Sequence, residues 1–169
     1  GGAMRLEKST AYETLYQERV NQQQPEKEKI AGCAARMVNS GDTVFIDAGT
    51  TTFAIARAIS HLERITVITN DLLIASELQL KPTATLMVTG GKRRNDFHEL
   101  VGPVAEEFLR STHADIAFLG VDGIDMMGNV CIANFDEIGV KRAMLQSAKR
   151  SVLVADHQKI GRSALVRIC

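Results

Sequence analysis

The sequence has no excess of either charge and no long hydrophobic run, and each absence excludes a class of protein. Twenty basic residues balance twenty acidic ones in 169 residues, so no overall positive field attracts the chain to nucleic acid or to an anionic membrane. No apolar segment approaches the roughly 18 residues that can span a bilayer, and no basic-then-apolar leader opens the sequence. We therefore expect a cytoplasmic protein that has no membrane partner.

Cysteine is scarce, and histidine is not clustered. Cys33, Cys131 and Cys169 form no CxxC pair, which is typical of a reducing compartment and argues against a disulfide scaffold and against a structural zinc site. The four histidines show no HxxxH or similar ligand spacing. The sequence predicts no metal site and no cofactor.

The composition is that of an ordinary globular chain. Apolar residues make up 45% and charged residues 24%, which excludes a disordered protein. The length exceeds that of one typical domain only slightly, so it favours one compact domain with an appendage.

The appendage is predicted to be a helical connector, residues 1–24. Thr10 and Glu13 have the spacing of a capping box. An apolar stripe at helical spacing overlaps them and continues beyond; it consists of Tyr12, Leu15, Tyr16 and Val20. Such a stripe has no obvious place in a sheet sandwich, so it packs either against a second subunit, in a homo-oligomer, or against a neighbouring helix.

The spacing of the apolar residues changes after the connector. A second helix is predicted from Pro25 to Ser40-Gly41-Asp42, with Gly41 as its left-handed cap. Short apolar, β-branched runs then alternate with amphipathic stretches. The predicted strands are Thr43–Ile46, Ile65–Thr69, Ala84–Thr89, Ile116–Val121, Ser151–Ala155 and Ala164–Ile168. The predicted helices between them are Thr51–His61, Asp71–Leu80, Pro103–Ser111 and Phe135–Lys149.

This alternation predicts an α/β fold over residues 25–169. Near-continuous apolar strands belong to a mostly parallel sheet that is covered on both faces. Right-handed crossovers then give a three-layer, Rossmann-like sandwich. The last predicted strand runs to the end of the sequence without a following turn, so we expect the natural chain to continue beyond Cys169.

Ligands of such sheets bind outside the carboxyl ends of the strands, at the switch point of the strand order. The first strand ends in Asp47-Ala48-Gly49-Thr50-Thr51-Thr52 and leads directly into a helix. Gly49 permits a tight turn, and three hydroxyls lie at the positive end of a helix with unpaired N–H groups. The loop predicts a phosphate site; the alternative is that Thr50 or Thr51 only caps the helix.

The loops after the other strands carry further polar residues to the same edge. Each has an ordinary explanation as well: a helix cap, a solvated charge run, a common turn or a surface salt bridge. The residues are Thr69 and Asn70 after the second strand, Gly90, Gly91 and Arg94 after the third, Asp122 and Gly123 after the fourth, the i,i+4 pair Glu137 and Lys141, and Lys159 after the fifth. Because all of them converge on one edge, we predict that they bind a ligand together.

With these residues assembled, the chain resembles the effector-binding domain of the DeoR family of bacterial sugar-metabolism repressors. The matching stretches follow family order and spacing over about residues 26–168: Asp47-Ala48-Gly49-Thr50-Thr51, Thr69-Asn70, Thr89-Gly90-Gly91 with Arg94, Val101-Gly102-Pro103, Phe118–Asp125, Val140-Lys141-Arg142-Ala143-Met144 and Ala155-Asp156-His157-Gln158-Lys159.

The resemblance implies a domain that looks like ribose-5-phosphate isomerase and binds a phosphorylated sugar. In the family, a winged helix-turn-helix domain lies N-terminal to it and binds operator DNA; that domain is absent from this sequence, so operator DNA is a partner only through it. Gly1-Gly2-Ala3 is either the end of its wing or a cloning scar. Gln158 and the polar stretch Asp96-Phe97-His98-Glu99 depart from the family pattern, which leaves the sugar open.

Two functions of different class remain. The first is a non-catalytic sensor that binds a sugar phosphate and alters operator binding by the DNA-binding domain. The second is an aldose–ketose isomerase, which needs a carboxylate base and a cation for the enediolate. Asp122, Asp125 and either Lys141 or Lys159 supply such groups, but Met126-Met127-Gly128 stands where the isomerase signature has a further acid. We favour the sensor.

Overall fold

A computed structural model describes residue 13 and residues 15–79 and 84–169. The expectations for Gly1-Gly2-Ala3, Thr10, Tyr12 and the helix end at Leu80 lie outside the described residues. The helices are α1 (Tyr16–Val20), α2 (Gln24–Ala35), α3 (Thr50–Ile59), α4 (Leu72–Leu78), α5 (Pro103–Arg110) and α6 (Ile138–Ser147). None of the helices in this part of the chain has the length and apolar character that a bilayer crossing requires.

Five strands form a central, fully parallel sheet in the order β3-β2-β1-β6-β9. The strands within the described residues are β1 (Thr43–Ile46), β2 (Ile65–Thr69), β3 (Ala84–Val88), β4 (Lys92–Arg93), β5 (Leu100–Val101), β6 (Ile116–Gly120), β7 (Gly123–Ile124), β8 (Val130–Ile132), β9 (Ser151–Val154) and β10 (Val166–Arg167). Ile46 pairs with Thr69 on one side and with Phe118 on the other, so β1, β2 and β6 end at one edge.

Two apolar cores flank the sheet, because successive strand residues point to opposite faces. Val44 and Ile46 pack with α2, α3 and α4, whereas Phe45 packs with α5 and α6. The predicted three-layer α/β sandwich is confirmed. The chain builds outward from β1 through β2 to β3 and then returns to β6 on its other side, so the switch point lies between β1 and β6.

A second, antiparallel sheet of order β10-β8-β7 carries the last predicted strand. Val166 and Ile168 are buried against Val130 and Ile132, while Arg167 between them is exposed. This alternation is typical of a half-buried antiparallel strand, not of a parallel central one. The last run therefore lies outside the parallel sheet.

The predicted end of the second helix was wrong. α2 ends at Ala35, and Gly41 lies in a later turn with a φ of +94°. Asn39 and Asp42 form that turn, since the Asp42 carboxylate accepts a hydrogen bond from the Asn39 N–H at 2.8 Å. Asn and Asp side chains compete with helical hydrogen bonds in this way.

The described part of the connector folds back onto its own chain. Leu15 is 46% exposed, but Tyr16 and Val20 are half-buried beside Phe53 of α3. The sequence predicts that the stripe packs against a second subunit or a neighbouring helix. Tyr16 and Val20 pack beside a neighbouring helix, α3.

Candidate ligand-binding site

A cavity of about 470 Å³ opens at the switch point, beside the carboxyl ends of β1 and β6. Seven parts of the chain meet there: the connector, α2, the loop after β1, the stretch between β4 and β5, the loop after β6, the start of α6 and the loop after β9. Its wall includes the predicted residues Gly49, Thr50, Thr51, Thr52, Asp122, Glu137, Lys141 and Lys159.

The threonine loop forms the rim of this cavity. Gly49 is the N-cap of α3 with a φ of +143°, a backbone conformation that favours glycine. No described side chain caps this helix, and the hydroxyl of Thr52 donates back to the Gly49 carbonyl at 2.9 Å. The interpretation of Thr50 or Thr51 as a side-chain cap is therefore wrong, and the first N–H groups of α3 are left without capping partners at the cavity.

Asp47 and Lys141 form the floor below the rim. The buried Asp47 carboxylate accepts the Gly120 N–H at 3.0 Å and binds the Lys141 ammonium. Lys141 also donates to the Gly120 carbonyl at 3.0 Å and lies 3.4 Å from Glu137. Burial alone would lower the pKa of Lys141, but Asp47 and Glu137 raise that pKa above its usual range. The pair Glu137 and Lys141 is buried, so the surface salt bridge was the wrong interpretation.

Arg94 extends the floor and is 6% exposed, so it is no solvated cation. Its guanidinium binds Glu13, Glu99 and Glu137, the last at 2.7 Å. Burial raises the pKa of Glu99 to about 7 and that of Glu137 to about 8, against the neighbouring cations. The three carboxylates have oxygens within 4.8 Å of one another, a spacing that a metal ion accepts, but here they share the Arg94 guanidinium.

Both cations and carboxylates line the remaining wall. Lys27 and Lys159 line it, and burial lowers the pKa of both. Asp122 accepts the Ala133 N–H at 2.9 Å and lies 3.6 Å from the Arg19 guanidinium. The cavity therefore offers donors and charges of both signs to a polar ligand.

Seven predicted residues do not line this cavity. Two of them, Asp47 and Arg94, contact its lining residues Lys141 and Glu137, and the other five lie elsewhere at the sheet edge. Thr69 is buried and donates to the Ile46 carbonyl at 2.7 Å, and Asn70 donates to the Leu100 carbonyl at 3.2 Å. The cap of α4 is Asp71, whose carboxylate accepts the N–H of Leu73 at 2.7 Å. These polar groups hold the sheet edge together.

The three predicted glycines that do not line the cavity, Gly90, Gly91 and Gly123, are needed for backbone packing. A Cβ on Gly91 would approach the Val101 carbonyl oxygen to 2.7 Å, and Gly91 lines a separate opening beside Pro103. A Cβ on Gly123 would overlap the Arg162 carbonyl. Gly90 has a φ of +70° at the turn before Gly91. Each glycine is thus needed for the backbone path near the cavity.

The sequence reasoning missed the contribution of the connector. Glu13, Tyr16, Arg19 and Gln22 all line the cavity, although none belongs to a strand-end loop. The sequence predicts a capping box of Thr10 and Glu13. Thr10 lies outside the described residues, and the Glu13 carboxylate binds Arg94. Phe97 and Glu99 also line the cavity, and the unusual polarity of their stretch was a usable signal.

Comparisons with solved structures agree with this fold. Ribose 5-phosphate isomerase from Plasmodium falciparum superposes with a TM-score of 0.57 at 16% identity, covering 79% of this chain and 52% of that one. The eIF2B delta subunit from Chaetomium thermophilum gives 0.60 at 15% identity, covering 85% and 52%. Fold and cavity define a doubly wound α/β domain with its candidate site at the switch point.

The sequence assigns the family. Residues 22–169 match the DeoR C-terminal sensor domain, and the chain belongs to that family. It is 32% identical to the glycerol-3-phosphate regulon repressor of Escherichia coli K12 over 95% of this chain and 64% of the relative. It is 36% identical to a putative aga operon transcriptional repressor of Escherichia coli O157:H7, over 84% and 53%. The chain thus spans less than two thirds of the length of these relatives.

Proposed function

We propose that this chain is the effector-sensing domain of a transcriptional repressor of carbohydrate metabolism and that its cavity binds a phosphorylated sugar or polyol. The observation that carries the proposal is the uncapped start of α3, which lies at the rim of a cavity lined by several cations. Backbone N–H groups at a helix start favour a phosphate. The carboxylates that line the same cavity would accept hydrogen bonds from sugar hydroxyls.

The bound phosphate would accept hydrogen bonds from the backbone between Gly49 and Thr52 and from one or two threonine hydroxyls. Lys27 and Lys159 would balance its charge, since both line the same cavity. Asp122 would accept from a hydroxyl of the sugar. The names of two relatives refer to glycerol 3-phosphate and to the aga operon, so glycerol 3-phosphate is a suitable first probe.

Operator binding would belong to a DNA-binding domain in the longer protein. The zero net charge of this chain gives no general attraction to DNA. The effector would change operator affinity through different affinities for two forms of the repressor. Such a protein would act in the cytoplasm, as a homo-oligomer if the exposed Leu15 side of the stripe meets a second copy.

We infer that the domain is not an isomerase, although Glu137 lines the cavity with a raised pKa. Isomerisation needs a free cation for the enediolate. Of the two predicted cations, the Lys141 ammonium is already bound by Asp47, by the Gly120 carbonyl and by Glu137. The other, Lys159, would balance the phosphate, and the predicted base Asp125 does not line the cavity. Coupled assays with ribose 5-phosphate, fructose 6-phosphate and glucosamine 6-phosphate should show background rates; turnover near 1 per second, a modest enzyme rate, would establish the enzyme instead.

A thermal-shift panel tests the sensor directly. Glycerol 3-phosphate, ribose 5-phosphate, fructose 6-phosphate and glucosamine 6-phosphate are compared with their unphosphorylated counterparts at equal concentration and ionic strength. A ligand at 100 times its Kd stabilises a fold by about 2.7 kcal/mol, so the best phosphorylated compound should raise the melting temperature clearly and saturably. Equal effects of phosphorylated and unphosphorylated compounds would contradict the proposal.

A further inference from the structure

The connector lies along one side of the cavity, where polar contacts add to the packing of Tyr16 and Val20 beside Phe53. α1 contains no buried residue. Glu13 binds Arg94, and Lys27 donates to the Arg19 carbonyl at 2.5 Å. Because these contacts lie at the wall of the cavity, a ligand that enters the cavity meets the groups that fix the connector.

Arg19 is the connector residue best suited to meet an anion. Its guanidinium lines the cavity, lies 3.6 Å from Asp122 and is 5.6 Å from the centre of the Phe97 ring. Its Nε is buried, and no described residue accepts a hydrogen bond from it. A buried donor without an acceptor is costly, so the described residues around Arg19 lack one acceptor.

An oxyanion is the ligand best suited to accept hydrogen bonds from Arg19. Arginine binds phosphate or carboxylate through two parallel hydrogen bonds, which a partner at 3.6 Å does not supply. The uncapped donors of α3 line the same cavity. An anion with several oxygens can accept from both sides at once.

We propose that Arg19 is an anion-binding residue that the connector supplies to the cavity, so that filling the cavity fixes the connector against the sensor domain. The inference rests on the proposed function for the ligand class and adds the residue that links occupancy to the connector. The coupling is reciprocal: the factor by which the bound anion favours the fixed connector is also the factor by which fixing the connector raises the affinity for the anion.

Affinity measurements on the full 169-residue chain provide the first test. Glycerol 3-phosphate and inorganic phosphate are titrated by calorimetry into the parent chain, Arg19→Gln and Arg19→Lys. Arg19→Gln should bind at least tenfold more weakly, and Arg19→Lys should recover only part of the loss, because an ammonium cannot form the two parallel bonds. Arg110→Gln is the matched control: it removes an exposed arginine paired with Glu106 at 2.8 Å, away from the cavity, and should bind normally.

Tyrosine fluorescence provides the second test. The chain has no tryptophan and two tyrosines, both in the connector, so Tyr12→Phe leaves Tyr16 as the reporter. Tyr16 meets the His98 ring edge-on, with centroids 5.2 Å apart, and is sensitive to any change in the position of the connector. Its emission should change saturably with glycerol 3-phosphate, with the calorimetric Kd, and should not change in Arg19→Gln at a saturating concentration.

The outcomes separate the two proposals. Normal affinity in Arg19→Gln, or saturable binding without a change at Tyr16, overturns the role of Arg19 and leaves the sensor function intact. If no phosphorylated probe binds the parent chain, the proposed function fails and this inference fails with it. Circular dichroism melting of each variant shows whether the fold is retained, and Arg19→Lys decides the result if Arg19→Gln is unfolded.

Discussion

The floor and the rim of the cavity differ in how their polar groups are used. On the floor, Asp47, Lys141, Glu137 and Arg94 are buried and satisfy one another. On the rim, α3 follows its N-cap Gly49 and has no side-chain cap from any described residue. Charged groups that already pair with one another have few free hydrogen-bonding positions for a ligand, whereas unpaired backbone N–H donors bind an anion readily. The comparison supports a structural role for the floor at the switch point and assigns the proposed ligand binding to the rim.

The floor should therefore control folding, and its removal gives the largest effect that we predict. Lys141→Met should destabilise the chain by about 3–5 kcal/mol in urea denaturation, because Asp47 and Glu137 would be left buried near each other without their cation. The matched control is Lys149→Met: Lys149 contacts Asp115 at 2.7 Å, but its side chain is 78% exposed. Exposed pairs contribute about 0–1 kcal/mol.

A double variant sharpens this part of the comparison. Asp47→Leu combined with Lys141→Met replaces two buried partners by apolar groups, which is often far less costly than the loss of one partner. We expect the double variant to be more stable than Lys141→Met alone. Equal losses for Lys141→Met and Lys149→Met would show that the buried floor has no special role in folding.

The rim should respond in the opposite way, with a loss of binding and no loss of stability. Charge-assisted hydrogen bonds to a phosphate contribute roughly 1.5–3 kcal/mol each. Thr51→Ala should thus weaken binding of glycerol 3-phosphate by about one to two orders of magnitude, and Thr51→Asp should weaken it further. A carboxylate in the first turn of α3 favours the helix dipole, so the melting temperature of Thr51→Asp should be unchanged or higher.

α5 offers a control of the same geometry. It also begins after a glycine without a side-chain cap, and Val104 holds the second helical position there, as Thr51 does in α3. Val104 is 62% exposed and lies away from the main cavity. Val104→Asp should gain the same small stabilisation from the helix dipole and should bind glycerol 3-phosphate with normal affinity. Normal binding in Thr51→Asp would mean that the rim is an ordinary helix start.

The sheet and the rim were predictable because their signals are local. Thr43–Ile46 and Ile65–Thr69 are strands at the predicted bounds, since strands covered on both faces form continuous apolar runs. The parallel order of the strands then brings their ends to one edge. The threonine loop follows β1 directly, so its place at that edge needs no further information.

The rest of the site depends on contacts between distant residues. Glu13 and Arg94 are 81 positions apart, and no period or motif links them. β4, β5 and β7 have two residues each, which is too short for a period to show. Asp122 and Gly123 are neighbours, yet one lines the cavity and the other packs against Arg162. Such differences depend on the tertiary path of the chain, not on residue type.

The floor should also give stability a pH dependence, the smallest effect in this series. Burial raises the pKa of Glu99 to about 7 and that of Glu137 to about 8, from 4.5. Between pH 4.5 and these raised pKa values, the folded chain therefore binds more protons than the unfolded chain. This contribution is fully present below about pH 4.5 and is lost as pH rises through 7 to 8.

Glu137→Gln isolates that contribution, because an amide has no proton to lose in this range and its oxygen can still accept from Arg94. Between pH 6 and pH 8, the melting temperature of the parent should fall by roughly 2–4 °C more than that of the variant, which corresponds to about 1 kcal/mol in a domain of this size. His157 has its pKa raised by the hydrogen bond to Glu26 and contributes a decline of the same sign in both chains, so only the difference between the two slopes is informative. Glu26→Gln removes that surface contact and should leave the difference intact. Parallel slopes for parent and Glu137→Gln would mean that Glu137 is ionised throughout and that the floor carries its full negative charge at neutral pH.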